Sequence, residues 1–114
     1  MVSAAVNIHA TCILIGPAGA PFGAPANIGV LLLGRSGSGK SDVALRLIAL
    51  GAKLVSDDRT DLFEERGWLF GRAPKTIKGL IEARGVGVVA LPSAAKARIA
   101  LAVSLGSPKS RLPP

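Results

Sequence analysis

With 114 residues and a formal charge of +7, the chain is one domain by length, roomy enough for a modest core but short for most complete enzymes. A single cysteine, Cys12, excludes an internal disulfide, the lack of Lys or Arg before Arg35 argues against a secretory signal, and no apolar run is long enough to span a bilayer. A soluble, cytoplasmic protein is expected.

Aromatics are scarce (three Phe, one Trp, no Tyr), so the core must be built from Ala, Val, Leu and Ile. VNIHATCILI, 6–15, reads as a strand with rough alternation. GPAGAPFGAPANIG, 16–29, breaks regular structure and reads as a loop or insert. VLLL, 30–33, is a short apolar run of the kind buried on both faces of a sheet. Val43, Ala44, Leu47, Ile48 and Leu50 recur at helical spacing over 40–50, and Gly51 stands where a C-terminal cap belongs. KLVS, 53–56, predicts a second core strand, and TDLFEERGWLFG a hairpin turning at Arg66-Gly67. Pro74 suits the first turn of a short helix through Ala83. VGVVAL, 86–91, predicts a third buried strand, and ARIALAVSL, 97–105, a last strand whose Ala content leaves helix open. The sum is an α/β domain over 1–114.

Charge is lopsided along the chain. Residues 1–65 hold five basic and six acidic side chains, residues 66–114 nine basic and one acidic, Glu82. That suits an anionic partner as well as plain solubility.

Between the 30–33 strand and the 40–50 helix lies GRSGSGKS, 34–41, the P-loop pattern G-x-x-x-x-G-K-[ST]. Gly34, Gly37 and Gly39 permit a turn whose backbone N–H groups face phosphate oxygens. Lys40 can reach the β- and γ-phosphates, the Ser41 hydroxyl can ligate Mg²⁺, and the helix start adds its positive end. A chance match in a Gly-rich chain is on the order of one in a hundred, and strand before, helix after is the context the motif requires.

LVSDDRTD, 54–61, gathers three of the seven carboxylates, Asp57, Asp58 and Asp61. In parallel α/β sheets ligands collect at strand carboxyl ends, which is where the Asp57-Asp58 pair falls. One Asp can hold Mg²⁺, and the other, with its pKa pushed up by its neighbour, can take a proton from an attacking hydroxyl. An Asp-rich turn would be the simpler reading without the P-loop.

These motifs come in an order that resembles HPr kinase/phosphorylase, the bacterial family that phosphorylates a serine of the phosphocarrier HPr. The resemblance rests on IHA at 8–10, GVLLLGRSGSGKSD at 29–42, ALRLIALGAKLVSDD at 44–58, GRAPKTIKGLIEARGVGVV at 71–89 and RL at 111–112. It implies a P-loop kinase domain of the HPr kinase and phosphoenolpyruvate carboxykinase-like type. Gly34, Arg35, Ser36, Gly37, Ser38, Gly39, Lys40 and Ser41 would then bind ATP, and Ser41 and Glu82 would share Mg²⁺. Asp58 would be the proton acceptor in serine phosphorylation and the donor in reverse, with Asp57 its partner. His9 matches an active-site His before the P-loop strand, and Arg111 an Arg after the last strand. Arg84 can stabilise transferred charge or pair with Glu82.

The resemblance is to a short, alphaproteobacterial-like form without the usual N-terminal domain, interrupted by the 16–28 insert. Because the chain stops just after Arg111, kinase activity with weak or absent phosphorylase activity is expected. Family members assemble into hexamers, so a homo-oligomer is implied, and control of the phosphotransferase system and carbohydrate metabolism with it. Two other readings stand beside this one. One is a small-molecule or phosphoenolpyruvate carboxykinase-like enzyme. The other is a non-catalytic ATP-binding regulatory module whose basic half holds an acidic protein or, with less support, nucleic acid; neither needs a membrane.

Overall fold

The computed structural model describes residues 4–16, 27–35, 37–83 and 85–106. Positions 17–26 of the 16–28 insert, Ser36, Arg84 and Arg111 therefore lie outside the described residues. The elements are β1 (Val6–Ile8), β2 (Ala10–Ile15), β3 (Ile28–Leu33), α1 (Lys40–Ala49), β4 (Lys53–Ser56), β5 (Thr60–Glu65), β6 (Trp68–Arg72), a 3-10 turn (Lys75–Ile77), β7 (Leu80–Ala83), β8 (Gly87–Ala90) and β9 (Ala97–Ser104). The result is a mixed α/β fold made mostly of sheet.

Seven strands form one sheet in the order β1-β5-β6-β9-β3-β2-β4, and β7-β8 form a separate hairpin. Among these ladders only β3–β9 is parallel. The expected parallel arrangement is thus corrected: β4 is not the neighbour of β3, because antiparallel β2 lies between them. Two antiparallel steps still leave β3 and β4 running the same way. Their carboxyl ends and the start of β2 therefore meet at one edge of the sheet.

The expected single strand over 6–15 is broken at His9. Up to Ile8 the chain pairs with β5, and from Ala10 onward with β3 and β4. Asp57 to Arg59 make the matching switch from β4 to β5. Strands that cross between two parts of a bent sheet do so at corners of this kind. The Thr60 hydroxyl, fully buried, donates to the Ala10 carbonyl at 2.8 Å and ties the two corners together.

Alternation sends side chains of the central strands to two cores. Ile13, Val30, Leu32 and Leu54 pack with Ala44 of α1 and Ile81 of β7. Cys12, Leu14, Leu31 and Val55 pack on the other face with Ala10 and Ala97, closed by Ile8 and Leu62. Ile13, Leu54 and Ile81 are at most 1% exposed. Each such burial contributes about 1.5–3 kcal/mol, enough to anchor the corners that carry polar groups.

Helix α1 and β4 form where expected, and Gly51 (φ +114) closes the helix with Ala52 N–H on the Leu47 carbonyl. The β5–β6 hairpin turns at Arg66 and Gly67, both at positive φ, as a tight primed turn requires. Strand β9 confirms the strand reading of its segment; Ala97 and Arg98 pair with β6 and the remainder with β3.

Two further expectations fail. The helix from Pro74 to Ala83 is only the 3-10 turn, because Gly79 turns left-handed (φ +78) and Ile81 enters the core from a strand. The strand over 86–91 is not a buried member of the main sheet. It is β8, paired with β7 in a hairpin whose Val86 and Val88 are exposed. Valine-rich composition could not distinguish these environments.

Candidate active site

The loop after β3 is shaped by glycine. Gly34 (φ +154) has no room for a side chain: a Cβ there would stand 2.5 Å from Ser38 Oγ and 2.8 Å from the Leu105 carbonyl oxygen. Gly39 (φ +97) precedes α1 with no side-chain cap, so the first-turn N–H groups are not covered by one. Gly37, Gly39, Lys40 and Ser41 line a cleft of about 930 Å³, whose other walls include Asp57, Asp58, Arg59 and the β7–β8 hairpin with Glu82.

Lys40 is only 4% exposed. Its Nζ donates to the carbonyl oxygens of Gly34 (2.8 Å) and Arg35 (2.9 Å) and stands 3.4 Å from Asp58 Oδ1. The lysine therefore braces the loop that precedes it while presenting charge to the Asp corner. Arg35 takes part through its main chain, and its side chain is exposed.

His9, at the first corner, places Nε2 2.7 Å from Asp58 Oδ1 at the second. An ionised carboxylate can only accept, so this nitrogen carries the proton. The 3.5 Å approach of Lys40 Nζ to the same nitrogen is then not a second hydrogen bond, since no lone pair is left to receive it. Both side chains converge on Oδ1 instead. Burial pushes the Asp58 carboxyl up, but the hydrogen bond and charge of His9, then those of Lys40, outweigh it and hold it below its ordinary value. This corrects the expectation of a raised pKa: the dominant neighbours are His9 and Lys40, which lower it, and Asp57 is turned away.

The turning is done at Asp58 itself, whose φ of +67 lies in the left-handed region that Asp tolerates better than most residues. Asp57, 8% exposed, accepts the Ser41 hydroxyl (2.6 Å) and the Thr11 hydroxyl (3.0 Å) on Oδ1, and the Glu82 N–H (3.1 Å) on Oδ2. His9, Lys40, Ser41, Asp57 and Asp58 are thus brought into one connected network. Glu82 joins through its main chain. Thr11, which links Asp57 to the Asp58 N–H (2.9 Å), was not singled out from the sequence. Its signal was a hydroxyl inside an apolar strand, where a buried polar group needs a partner.

Among the described residues no group of three His, Cys, Asp or Glu side chains surrounds a common metal position. The donors at hand are Ser41 Oγ, the Asp57 carboxylate and, across the cleft, Glu82. Hard oxygen donors in small number fit Mg²⁺, which keeps waters and phosphate oxygens as further ligands. No helix of the described residues is long and apolar enough to cross a membrane.

Comparisons of the sequence and of the fold with known proteins agree with one another. An HPr kinase/phosphorylase of Clostridium tetani (strain Massachusetts / E88) is 47% identical over 66 residues, 58% of this chain and 22% of the relative. That of Clostridium beijerinckii (strain ATCC 51743 / NCIMB 8052) is 47% identical over 64 residues, 56% of this chain and 21% of its own. The chain thus spans about a fifth of the length of these relatives. The structure of the Hpr(Ser) kinase/phosphatase from Coxiella burnetii superposes with a TM-score of 0.76 at 29% identity, covering 94% of this chain and 63% of that one. The model of the HPr Serine kinase C-terminal domain matches residues 25–105, from just before β3 to just past β9. His9 and Thr11 are supplied from outside that segment. With the glycine loop, the Asp corner and the β7–β8 hairpin all inside it, the chain belongs to the HPr serine kinase C-terminal domain family.

Proposed function

We propose that this chain is an ATP- and Mg²⁺-dependent protein kinase acting on a serine of HPr or a related phosphocarrier, and that it thereby regulates the phosphotransferase system. The observation that carries the reading is the convergence of His9 and Lys40 on Asp58 Oδ1, beside the Ser41–Asp57 pair at the mouth of a glycine loop.

The 34–41 loop and the start of α1 are the phosphate-binding element, a P-loop, with Lys40 leaving its carbonyl partners to reach a phosphate oxygen. Ser41, Asp57 and Glu82 would hold Mg²⁺, which offsets phosphate charge when bound. Asp58 is the proton acceptor. Its contacts with His9 and Lys40 use Oδ1, and Oδ2 remains to take the proton of the substrate serine. As that proton leaves, the serine oxygen bonds to the γ-phosphorus and the bond to the ADP oxygen breaks. The lowered pKa keeps Asp58 ionised at neutral pH, so the base is ready rather than strong. His9 holds its orientation.

The test is intact-mass spectrometry of HPr incubated with this chain, Mg²⁺ and ATP, beside the Asp58→Asn variant. One phosphoryl adduct on serine, absent with the variant, is expected. ATP binding without any adduct would instead support a nucleotide-binding module without catalysis.

A further inference from the structure

Thr11 lies outside the loop, yet its hydroxyl touches both acids of the Asp corner. The side chain is fully buried on β2. Oγ1 donates to Asp57 Oδ1 at 3.0 Å and accepts the Asp58 N–H at 2.9 Å. A hydroxyl has one proton to give. Since the carboxylate can only accept and the amide only donate, the direction of that proton is fixed.

The peptide joining Asp57 to Asp58 is therefore gripped from both ends, at the side chain before it and at the N–H after it. This matters because Asp58 stands at φ +67, an uncommon conformation even for Asp. The two carboxylates face different partners. Asp57 meets Ser41 at 2.6 Å, and Asp58 meets His9 at 2.7 Å. Nothing else among the described hydrogen bonds joins the two acids.

Resting on the kinase reading above, we infer that Thr11 is a positioning residue whose hydroxyl sets the Asp57–Asp58 peptide, aiming Asp57 at Ser41 and Asp58 at the incoming serine. Thr11→Val keeps the shape and β-branching but leaves a carboxylate oxygen and an amide without this partner in a dry corner. Thr11→Ser keeps the hydroxyl and gives up a methyl group.

Two measurements on the full chain test this. In HPr phosphorylation, Thr11→Val lowers kcat by about 10–100-fold with KM for ATP nearly unchanged, as loss of an orienting partner does, while Thr11→Ser recovers most of it. A Thr11→Val protein with wild-type kcat, a loss carried by KM for ATP, or equal losses in the Val and Ser variants would overturn the inference. Amide hydrogen exchange by NMR gives a readout independent of turnover. In Thr11→Val the Asp58 amide exchanges at least about tenfold faster while the β3 amides keep their protection. Should the wild-type chain make no phosphoprotein, the kinase reading falls by itself and the exchange result decides: a faster Asp58 amide supports the grip, an unchanged one overturns it.

Discussion

His9 Nε2 and Asp58 Oδ1 stand 2.7 Å apart although 49 residues separate them. They meet because each occupies a corner where the chain passes between two parts of the sheet. The Thr60 bond to Ala10 fixes those corners against each other. In such a geometry the pair does not depend on a flexible loop for its distance.

Replacing Asp58 by Asn removes the proposed proton acceptor while keeping a residue that tolerates the left-handed turn. Transfer to HPr should fall by about 10²–10⁴-fold, the usual span for a general base. ATP affinity should stay close to wild type in isothermal titration. A variant that phosphorylates HPr at the wild-type rate would remove Asp58 from the base role.

The same pair makes acid stability testable. Asp58 has its folded pKa held below the ordinary carboxylate value. Its contribution to stability is therefore present above about pH 4 and lost as pH falls through the lower folded value. The carboxylate is half exposed, so the effect is small and salt-sensitive. Urea midpoints of wild type and Asp58→Asn should differ at pH 6 and approach each other towards pH 3 (rough bounds set by the ordinary carboxylate pKa). A gap that widens in acid would contradict the direction of the shift.

Lys40 is predicted to serve two ends at once. Lys40→Met leaves the Gly34 and Arg35 carbonyls without their donor, costing about 1–3 kcal/mol if they stay dry. It also removes the charge expected at the phosphates. A thermal melt should show a lower midpoint without nucleotide, and added Mg-ATP should give no stabilising shift. A variant that ATP still protects as it protects wild type would place nucleotide binding elsewhere.

How far the sequence could be read depended on the range of the interaction. The positive-φ turns at Gly37 and Gly39 and the helix start at Lys40 were legible because glycine conformation and helix starts are local. The Arg66-Gly67 turn was legible for the same reason. The sheet order was not, since nothing within β2 says that it inserts between β3 and β4. Nor was Thr11, whose role exists only once residues 11, 57 and 58 share a corner. The β7–β8 hairpin was misread because Val88 and Val89 have the composition of a core strand, while their burial is decided by what lies opposite.

Glycine substitutions separate two kinds of constraint in the loop. Gly34→Ala would drive its Cβ against Ser38 Oγ and the Leu105 carbonyl, so the loop itself must move. Gly37→Ala has open space around it and carries only the cost of φ +85, about 1–2 kcal/mol. Gly34→Ala should lose ATP binding and lower the melting midpoint more than Gly37→Ala. Equal behaviour of the two would mean that backbone conformation, not crowding, controls the loop.

Cys12 offers a check on the second core. Burial pushes its thiol up to about 12, whereas an unfolded chain ionises near 8.5, as free thiols roughly do. Below that range both states keep the proton and stability is unaffected. Above it the unfolded chain releases a proton that the folded one retains, so stability should fall by about 1.4 kcal/mol per pH unit. Cys12→Ala will be less stable at neutral pH because it empties part of a packed core, but it lacks this alkaline slope. Urea midpoints between about pH 9 and 10.5 should therefore converge for the two proteins. Parallel lines would mean that water reaches the thiol and that the face of β2 carrying Cys12 is less tightly closed than its complete burial requires.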